Sequence, residues 1–320
     1  MHPRSPHWIT VTRSAYPWEQ EALDHLREAL PDQGPYRVWA NFELTADDGS
    51  INEVDALVLV PDGLFLVEIK SHTGALSGDA GTWRFRRDGR TRVVDNPRLL
   101  ANRKAKRLKS RLARTRAFAK RAVPFVDAVV FLSATDLDVA GLDAGGAQGV
   151  LVRRRGEEAT PIPGLGPLVP WSRRARTKLG TATARALERA MDEIGIRPAQ
   201  ALAKVGDYVL DDLLDDRGTW QEWHAHHQSA PAMKRRVRLY HAALGGDRAA
   251  LTRAAQRELL MLEAIDHPGI IKAHDLKEHE LGPAVLFAAH PGAQRLDRWL
   301  DERGPTLTFD QRFYLLRQLA

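Results

Sequence analysis

The sequence predicts an α/β protein built from two domains. Its 320 residues, of which 43% are hydrophobic and 28% charged, suffice for two hydrophobic cores. An amphipathic helical pattern followed by extended segments opens the chain, and a second pattern of strands and one helix begins after residue 200. We therefore place one domain at residues 1–200, with a helical extension at its end, and a second at residues 201–320.

Turn residues delimit the first helix and the three strands that follow it. Pro17 suits the first turn of a helix that ends before Pro31. Extended segments follow at residues 36–44, 54–60 and 64–70. Because a Pro-Asp-Gly turn separates the last two, they are predicted to form a hairpin.

The remaining elements are predicted from the same periodicities. A long helix begins at Pro97, and its apolar residues alternate with basic ones. Other predicted elements of the first domain are strands at residues 83–85 and 126–132, a loop at 161–167 and a helix at 173–194. The second domain is predicted to hold strands at residues 208–210, 236–240 and 284–287 and a helix at 251–265.

Composition excludes several classes of function. The chain has no cysteine, which removes disulfides, thiolate zinc sites and cysteine nucleophiles. Its N-terminus lacks the pattern of a signal peptide, and its longest apolar runs have the length of strands. We expect a soluble, cytoplasmic protein without membrane contact.

Positive charge is concentrated in one segment. The chain has 47 Lys and Arg against 41 Asp and Glu, but residues 84–121 alone carry 16 basic residues and two Asp. Such a block is either a solvated face or a surface that binds a polyanion, and composition leaves both readings open. Three histidines, His224, His226 and His227, lie in a predicted loop, where they are either a metal site or solvent-facing.

The sharpest local pattern combines two carboxylates and a lysine. Glu68 and Lys70 lie two residues apart on one predicted strand and so share a face, and Asp55 lies on the neighbouring strand of the hairpin. Carboxylate oxygens are the ligands that Mg²⁺ and Mn²⁺ take, and a cation so held supports phosphodiester hydrolysis. The alternative is an ordinary ion pair at a strand end.

Several ordered motifs around this pattern resemble a known family. The helix with Glu19 and Glu21, then Glu53-Val54-Asp55, then Glu68-Ile69-Lys70-Ser71-His72-Thr73-Gly74 and finally Asp95-Asn96-Pro97 resemble the nuclease-related domain, NERD, over about residues 8–135. NERD belongs to the restriction-endonuclease-like PD-(D/E)xK nucleases. The resemblance implies a restriction-endonuclease-like fold that uses Mg²⁺ or Mn²⁺.

The resemblance also implies roles for individual residues. Asp55 and Glu68 would be metal ligands, Lys70 the catalytic lysine, and Glu19 the helix acid, with Glu21 as the alternative. Many NERD sequences carry a Gln shortly after Asn-Pro; this chain has none there, so either Asn102 substitutes or the contact is absent. His72 either touches a phosphate or is an ordinary loop residue.

The basic helix gains a function in this context, because a nuclease must neutralise the phosphates it binds. No base-reading element is apparent, so we expect sequence-tolerant DNA binding. The residues assigned to it are Arg103, Lys104, Lys106, Arg107, Lys109 and Arg111.

The second domain resembles the α+β small lobe of a protein kinase. Residues 257–271 resemble the kinase helix C and the His-Pro turn after it, which makes Glu258 the helix-C glutamate and puts Arg238 in the place of its lysine partner. Only Gly218 lies where kinases carry a glycine-rich loop, and the chain has no His-Arg-Asp or Asp-Phe-Gly. We expect no kinase activity from these 320 residues, and ATP binding through Arg238 and Glu258 only in a full kinase domain.

This order of domains resembles the PglW-type kinases of bacterial phage-growth-limitation and BREX defence systems. The leading hypothesis is a metal-dependent DNA endonuclease or nickase in an antiphage protein, with DNA and other defence proteins as partners. One rival is a DNA-binding sensor that regulates a kinase without cutting. A second rival is a scaffold whose basic segment docks an acidic protein.

Overall fold

The computed structural model describes residues 1–14, 16–153, 178–199, 204–217, 219–241, 247–267, 270–290, 299–300 and 303–319. Gly218, the predicted loop at 161–167 and the first residues of the helix predicted at 173–194 lie outside these ranges. Within them, the strands form three sheets of seven, four and six strands.

The first two sheets and their helices follow one another along residues 8–198. In chain order the elements are β1 (Trp8–Thr10), α1 (Pro17–Ala29), β2 (Arg37–Thr45), β3 (Ile51–Val60), β4 (Gly63–Lys70), β5 (Gly74–Gly78), β6 (Thr82–Arg87), β7 (Arg90–Asp95), α2 (Pro97–Ala113), β8 (Val126–Leu132), β9 (Leu137–Leu142), β10 (Val150–Val152), α3 (Thr181–Glu193) and β11 (Arg197–Pro198).

The third sheet and its helices follow. Their elements are β12 (Lys204–Val205), β13 (Tyr208–Asp216), β14 (Trp220–His227), β15 (Ala230–Tyr240), α4 (Arg248–Glu263), β16 (Ala273–His279), β17 (Gly282–Ala288) and α5 (Phe309–Leu319). No helix among the described residues is long and apolar enough to span a bilayer.

The seven-stranded sheet is mixed and carries helices on both faces. Its order is β1-β2-β3-β4-β8-β10, with β11 added beside β2. The predicted hairpin is confirmed, since Val60 pairs with Gly63 across the turn. Strand β8 pairs with β4 in parallel, as expected when a long crossover connects two strands.

Alternating side chains distribute the helices between the two faces. The apolar face of α1 buries Leu23 and Leu26 against Phe65 and Val67 of β4. On the opposite face, α2 and α3 pack against a separate core that includes Leu66. Helix α2 begins where the sequence predicts, because the Asn96 side chain accepts a hydrogen bond from the backbone N–H of Arg98 and Pro97 fits the first turn.

The four-stranded sheet was predicted only in part. Its order is β7-β6-β5-β9, and the predicted strand at residues 83–85 lies within β6. Trp83 is fully buried there, between this sheet and β8 and β10. Strands β5, β7 and β9 were not predicted, because they are short and largely solvent-facing and so lack a continuous apolar pattern.

The six-stranded sheet is antiparallel throughout, in the order β12-β13-β14-β15-β17-β16. Helix α4 packs on it through Ala255 and neighbouring residues. The histidine segment, predicted to be a loop, is strand β14, so that prediction is wrong. The ring of His226 hydrogen-bonds Asp211 on the adjacent strand, and this cross-strand partner could not be read from local sequence.

The β2–β3 hairpin joins the first sheet to the third. Ile51 is buried in one cluster with Val205 and Trp223. The Gln221 side chain accepts a hydrogen bond from the backbone N–H of Ile51 and donates one to its carbonyl, both at 3.2 Å. The β2–β3 hairpin of the first sheet therefore contributes to the core of the third sheet.

Candidate active site

Asp55 lies where strand β3 separates from β4 and where its pairing with β2 is interrupted at one position. The β2–β3 pairing skips Asn41 and Asp55, and Asn41 has a φ of +54°, a left-handed conformation that Asn tolerates better than most residues. The β3–β4 pairing ends at Ala56. Just beyond it, the Asp55 carboxylate accepts a hydrogen bond from the backbone N–H of Ile69 at 2.6 Å. This bond fixes Asp55 beside the end of β4.

Glu68 and Lys70 point to the same face of β4, as predicted. Val67 and Ile69 lie in the core under α1 on the other face. The Lys70 ammonium contacts one oxygen of Glu68 at 2.9 Å, and the Glu68 side chain is almost fully buried while a third of the Lys70 side chain stays exposed. The two residues form a partly solvent-accessible ion pair at the strand end.

A third charged residue completes this contact, and the sequence analysis did not place it here. Lys104 of α2 donates to the second oxygen of Glu68 at 2.7 Å, and it is only 7% exposed. It was predicted among the DNA-binding residues of the basic helix, but its ammonium lies inside the acidic site. Its contact partner is 36 residues away in the chain, so helical periodicity alone could not identify it.

The electrostatics divide the carboxylates into two kinds. Burial, together with the negative charge of Glu68, raises the pKa of Asp55 to about 7. Burial and the charge of Asp55 likewise raise the pKa of Glu19 to about 7. Burial would also raise the pKa of Glu68, but Lys104 and Lys70 outweigh it and hold that pKa below its usual range. Glu68 is therefore ionised, whereas Asp55 and Glu19 are each partly protonated near neutral pH.

Both lysines stay charged despite burial. Burial alone would lower the pKa of Lys70, but Glu68 and Asp55 raise it above its ordinary value. The same two carboxylates raise the pKa of Lys104 against the effect of burial. Lys70 is therefore a cation at any physiological pH, so it can orient a water or a phosphate but cannot accept a proton.

The two candidate helix acids occupy different environments. Glu19 is near enough to Asp55 for their charges to interact. Glu21 is largely exposed and pairs with Arg153 at 2.6 Å. Of the two, only Glu19 belongs to the acidic cluster.

A small cleft borders this cluster at Glu19. Its volume is about 30 Å³, and its lining includes Arg13, Asn41, Glu19 and Glu53. Burial, followed by the charge of Glu43, raises the pKa of Glu53 to about 7 against the opposing effect of Lys104. Tyr16, also in the lining, stacks on Trp18 with ring centroids 5.7 Å apart, and both rings are exposed.

Two further predicted residues have other surroundings. His72 packs against Phe85 with ring centroids 4.3 Å apart, and burial lowers its pKa. Asn102 lies part-exposed on α2, and it is Lys104 from this helix that contacts Glu68. The prediction that Asn102 replaces the missing Gln stays untested.

The predicted DNA-binding residues fall into two groups. Lys104, Arg107 and Arg111 form ion pairs within the protein, Arg107 with Asp216 at 2.8 Å and Arg111 with Asp47 at 3.5 Å. Arg103 and Lys106 are exposed on α2, and the Lys109 ammonium lies 5.3 Å from the centre of the Phe125 ring.

The donor set suits a hard divalent cation. Asp55 and Glu68 supply carboxylate oxygens, the ligands that Mg²⁺ and Mn²⁺ take, and a cation would relieve the repulsion that raises the pKa of Asp55 and Glu19. Among the described residues, no group of three or more His, Asp or Glu side chains is placed to hold a metal ion. Asp55 and Glu68 are the two residues that would hold it, with Glu19 beside them.

In the third sheet, the predicted contact between Arg238 and Glu258 is present. Arg238 also pairs with Glu222 at 2.8 Å, and its guanidinium lies 4.4 Å from the centre of the Trp220 ring. Arg236 pairs with Glu222 as well. Arg238 of β15 therefore contacts α4 through Glu258 and the neighbouring strand β14 through Glu222.

Residues 14–133 match the family model described as nuclease-related domain, NERD. The resemblance predicted from the motifs around Asp55 and Glu68 is confirmed by this match. The chain is also 36% identical to "Probable kinase PglW" of Streptomyces coelicolor, over 99% of this chain and 20% of the relative. It thus spans about one fifth of the length of the curated relative it matches.

Two solved kinase structures resemble about a third of the chain each. Rad53 1-466 in complex with AMP-PNP covers 31% of this chain and 24% of its own, with 15% identity and a TM-score of 0.25. The PknI kinase domain of Mycobacterium tuberculosis covers 32% of this chain and 41% of its own, with 19% identity and a TM-score of 0.26. Similarity at this level does not define the fold of the third sheet.

Proposed function

We propose that the nuclease-related domain is a metal-dependent DNA endonuclease or nickase within a defence-associated kinase. The observation that carries the proposal is the convergence of Asp55, Glu68 and Lys70 at the point where β3 and β4 separate. Asp55 is half-buried and a third of the Lys70 side chain is exposed, so this strand end is the side from which a phosphodiester would approach the carboxylates. The match to the nuclease-related family supports the same chemistry.

The roles of the residues follow from their charges. A cation bound at Asp55 and Glu68 would supply the Lewis acidity that phosphodiester hydrolysis requires. Lys70, permanently charged and partly exposed, would orient the attacking water and offset negative charge on the phosphate. Glu19 completes the acidic set from α1. Exposed basic residues of α2, such as Arg103 and Lys106, would contact the DNA backbone.

The second domain is proposed to be a kinase-like small lobe. The Arg238–Glu258 contact between a strand and the packed helix is the supporting observation. Arg differs from Lys in reach and geometry, and here the guanidinium is already shared with Glu222. ATP binding would therefore need the rest of a kinase domain, and DNA and other defence proteins are the proposed partners of the whole protein.

One observation favours the rival function, a DNA-binding sensor without cleavage. Both oxygens of Glu68 are already held by ammonium groups, from Lys70 and Lys104. The site is thus charge-compensated without a metal ion. In that case the domain would hold DNA and the intact protein would signal through its kinase.

Plasmid cleavage distinguishes the two functions. Supercoiled plasmid is incubated with the protein in Mg²⁺, Mn²⁺ or EDTA, beside Glu68→Gln and the control Glu21→Gln, and nicked and linear products are followed. Metal-dependent cutting by wild type and Glu21→Gln, absent in Glu68→Gln, establishes the nuclease. Salt-sensitive plasmid retention by all three proteins without cutting establishes the sensor.

A further inference from the structure

Lys104 occupies a position that the proposed nuclease chemistry does not use. Its ammonium is buried, lies 2.7 Å from Glu68, and comes from the helix that carries the basic surface. Lys104 shares the Glu68 carboxylate with Lys70, which pairs with its other oxygen, and the charge of Lys104 also acts on Asp55 and Glu53. Of the two lysines, only Lys104 comes from a second element of the fold.

Lys104 competes with any divalent cation for the Glu68 carboxylate. The ammonium groups on the two oxygens of Glu68 compete with a divalent cation for the lone pairs of the carboxylate and repel its positive charge. Lys70 is partly exposed and belongs to the same strand as Glu68, so it can remain beside the carboxylate. Lys104 approaches from another element and covers the second oxygen.

A displaced lysine needs a new anionic partner. Leaving an ammonium buried and unpaired is costly, so a metal ion alone would bind Glu68 at the expense of this lysine. A nucleic-acid phosphate entering the site supplies the missing anion. Lysine suits such a transfer, because its flexible stem carries a compact charge that re-pairs without a fixed fork geometry.

We propose that Lys104 is a positioning residue that alternates between Glu68 and a phosphate of the bound nucleic acid. In the metal-free protein it occupies the second oxygen of Glu68, the one that Lys70 does not contact. When nucleic acid offers a phosphate, Lys104 moves to it and releases Glu68 for the cation. Metal and nucleic acid consequently bind with positive cooperativity, because each removes an obstacle to the other. This inference rests on the proposed metal-binding role of Glu68.

Mn²⁺ titration of the full chain tests the inference without relying on cleavage. Affinity is measured by calorimetry for wild type, Lys104→Met and the control Lys234→Met, whose residue is exposed on β15. Each is measured alone and with a short phosphorothioate duplex that resists hydrolysis. In the absence of duplex, we expect Lys104→Met to bind Mn²⁺ roughly tenfold or more tightly than wild type, since a nearby like charge is removed. The duplex should tighten Mn²⁺ binding to wild type and Lys234→Met but not to Lys104→Met.

The outcomes separate this inference from the proposed nuclease function. Equal Mn²⁺ affinity of wild type and Lys104→Met, with or without duplex, overturns the role of Lys104 and leaves the metal site intact. Failure of every variant to bind Mn²⁺ overturns both. Tighter Mn²⁺ binding by Lys104→Met than by wild type, without duplex, supports the inference even when wild type does not cut plasmid. Should Lys104→Met fail to fold, Lys104→Gln, which keeps a donor to Glu68 but removes the charge, is expected to show the same tightening.

Discussion

Removing Arg107 should destabilise the junction between the first and third sheets more than any change at the surface of the basic helix. Its guanidinium contacts Asp216 and Asp48 at 2.8 Å each and the side-chain oxygen of Asn52 at 3.2 Å. The Asp216 side chain is only 2% exposed, whereas that of Arg107 is 17% exposed. Arg107→Ala therefore leaves a buried carboxylate without its main cationic partner.

The expected cost follows from this burial. Breaking a buried ion pair by removing one partner costs about 3–5 kcal/mol, and the residual exposure of Arg107 places this pair near about 3 kcal/mol. Gln221, which donates to Asp216 at 3.2 Å, retains part of the carboxylate's hydrogen bonding. The matched control Arg103→Ala, exposed on the same helix, should change the free energy of unfolding by less than about 0.5 kcal/mol.

Urea unfolding followed by tryptophan fluorescence measures both variants, and a double-mutant cycle with Asp216→Ala isolates the pair. We expect a coupling free energy above about 1 kcal/mol between Arg107 and Asp216, because residues in direct contact are not additive. The assignment of Arg107 to the junction between the sheets is refuted if Arg107→Ala lowers the free energy of unfolding by less than about 1 kcal/mol and the coupling is zero. DNA binding would then be the one predicted role left for Arg107.

Three further outcomes are expected. The pKa of Asp55 is about 7 in the metal-free folded protein and 3.8 in the unfolded chain. The unfolded chain therefore binds fewer protons between about pH 4 and pH 7, and the free energy of unfolding falls as the pH rises across that window. Asp55→Asn should flatten this decline in thermal melts in EDTA. Lys70→Ala should abolish plasmid cleavage yet leave DNA retention largely intact, and equal loss of both would contradict a catalytic role. Glu258→Ala, which loses its pair with Arg238, should lower the free energy of unfolding by about 2 kcal/mol in urea titrations, whereas the exposed Glu263→Ala should not.

The parts of the fold that could be predicted are those specified by local periodicity and turn chemistry. Helix α1, strands β2 to β4 and the start of α2 at Pro97 all follow from such signals. The shared face of Glu68 and Lys70 follows from strand alternation in the same way. The left-handed backbone of Asn41 could not be foreseen, because it accompanies an interruption of the β2–β3 pairing at Asn41 and Asp55 that no local pattern indicates.

The basic helix shows why the rest of the site escaped prediction. Sequence periodicity places charges around the helix but does not reveal which of them meet a buried carboxylate. Lys104 is distinguished from Lys106 only by Glu68, 36 residues earlier, and Arg107 only by Asp216, 109 residues later. Contacts at such separations arise from tertiary packing, which no local pattern encodes.

Composition therefore overstates the charge that this helix offers to a polyanion. Three of the six assigned residues, Lys104, Arg107 and Arg111, are held by carboxylates of the protein itself in the absence of nucleic acid. If DNA binds through Arg103, Lys106 and Lys109, replacing these three by Gln should reduce the slope of log affinity against log salt by about 2.7, since each phosphate contact contributes about 0.9. Replacing Arg107 and Arg111 should instead change stability and leave that slope nearly constant. A larger loss of slope from the second pair would mean that DNA breaks the internal ion pairs as it binds, and that the whole helix then faces the phosphate backbone.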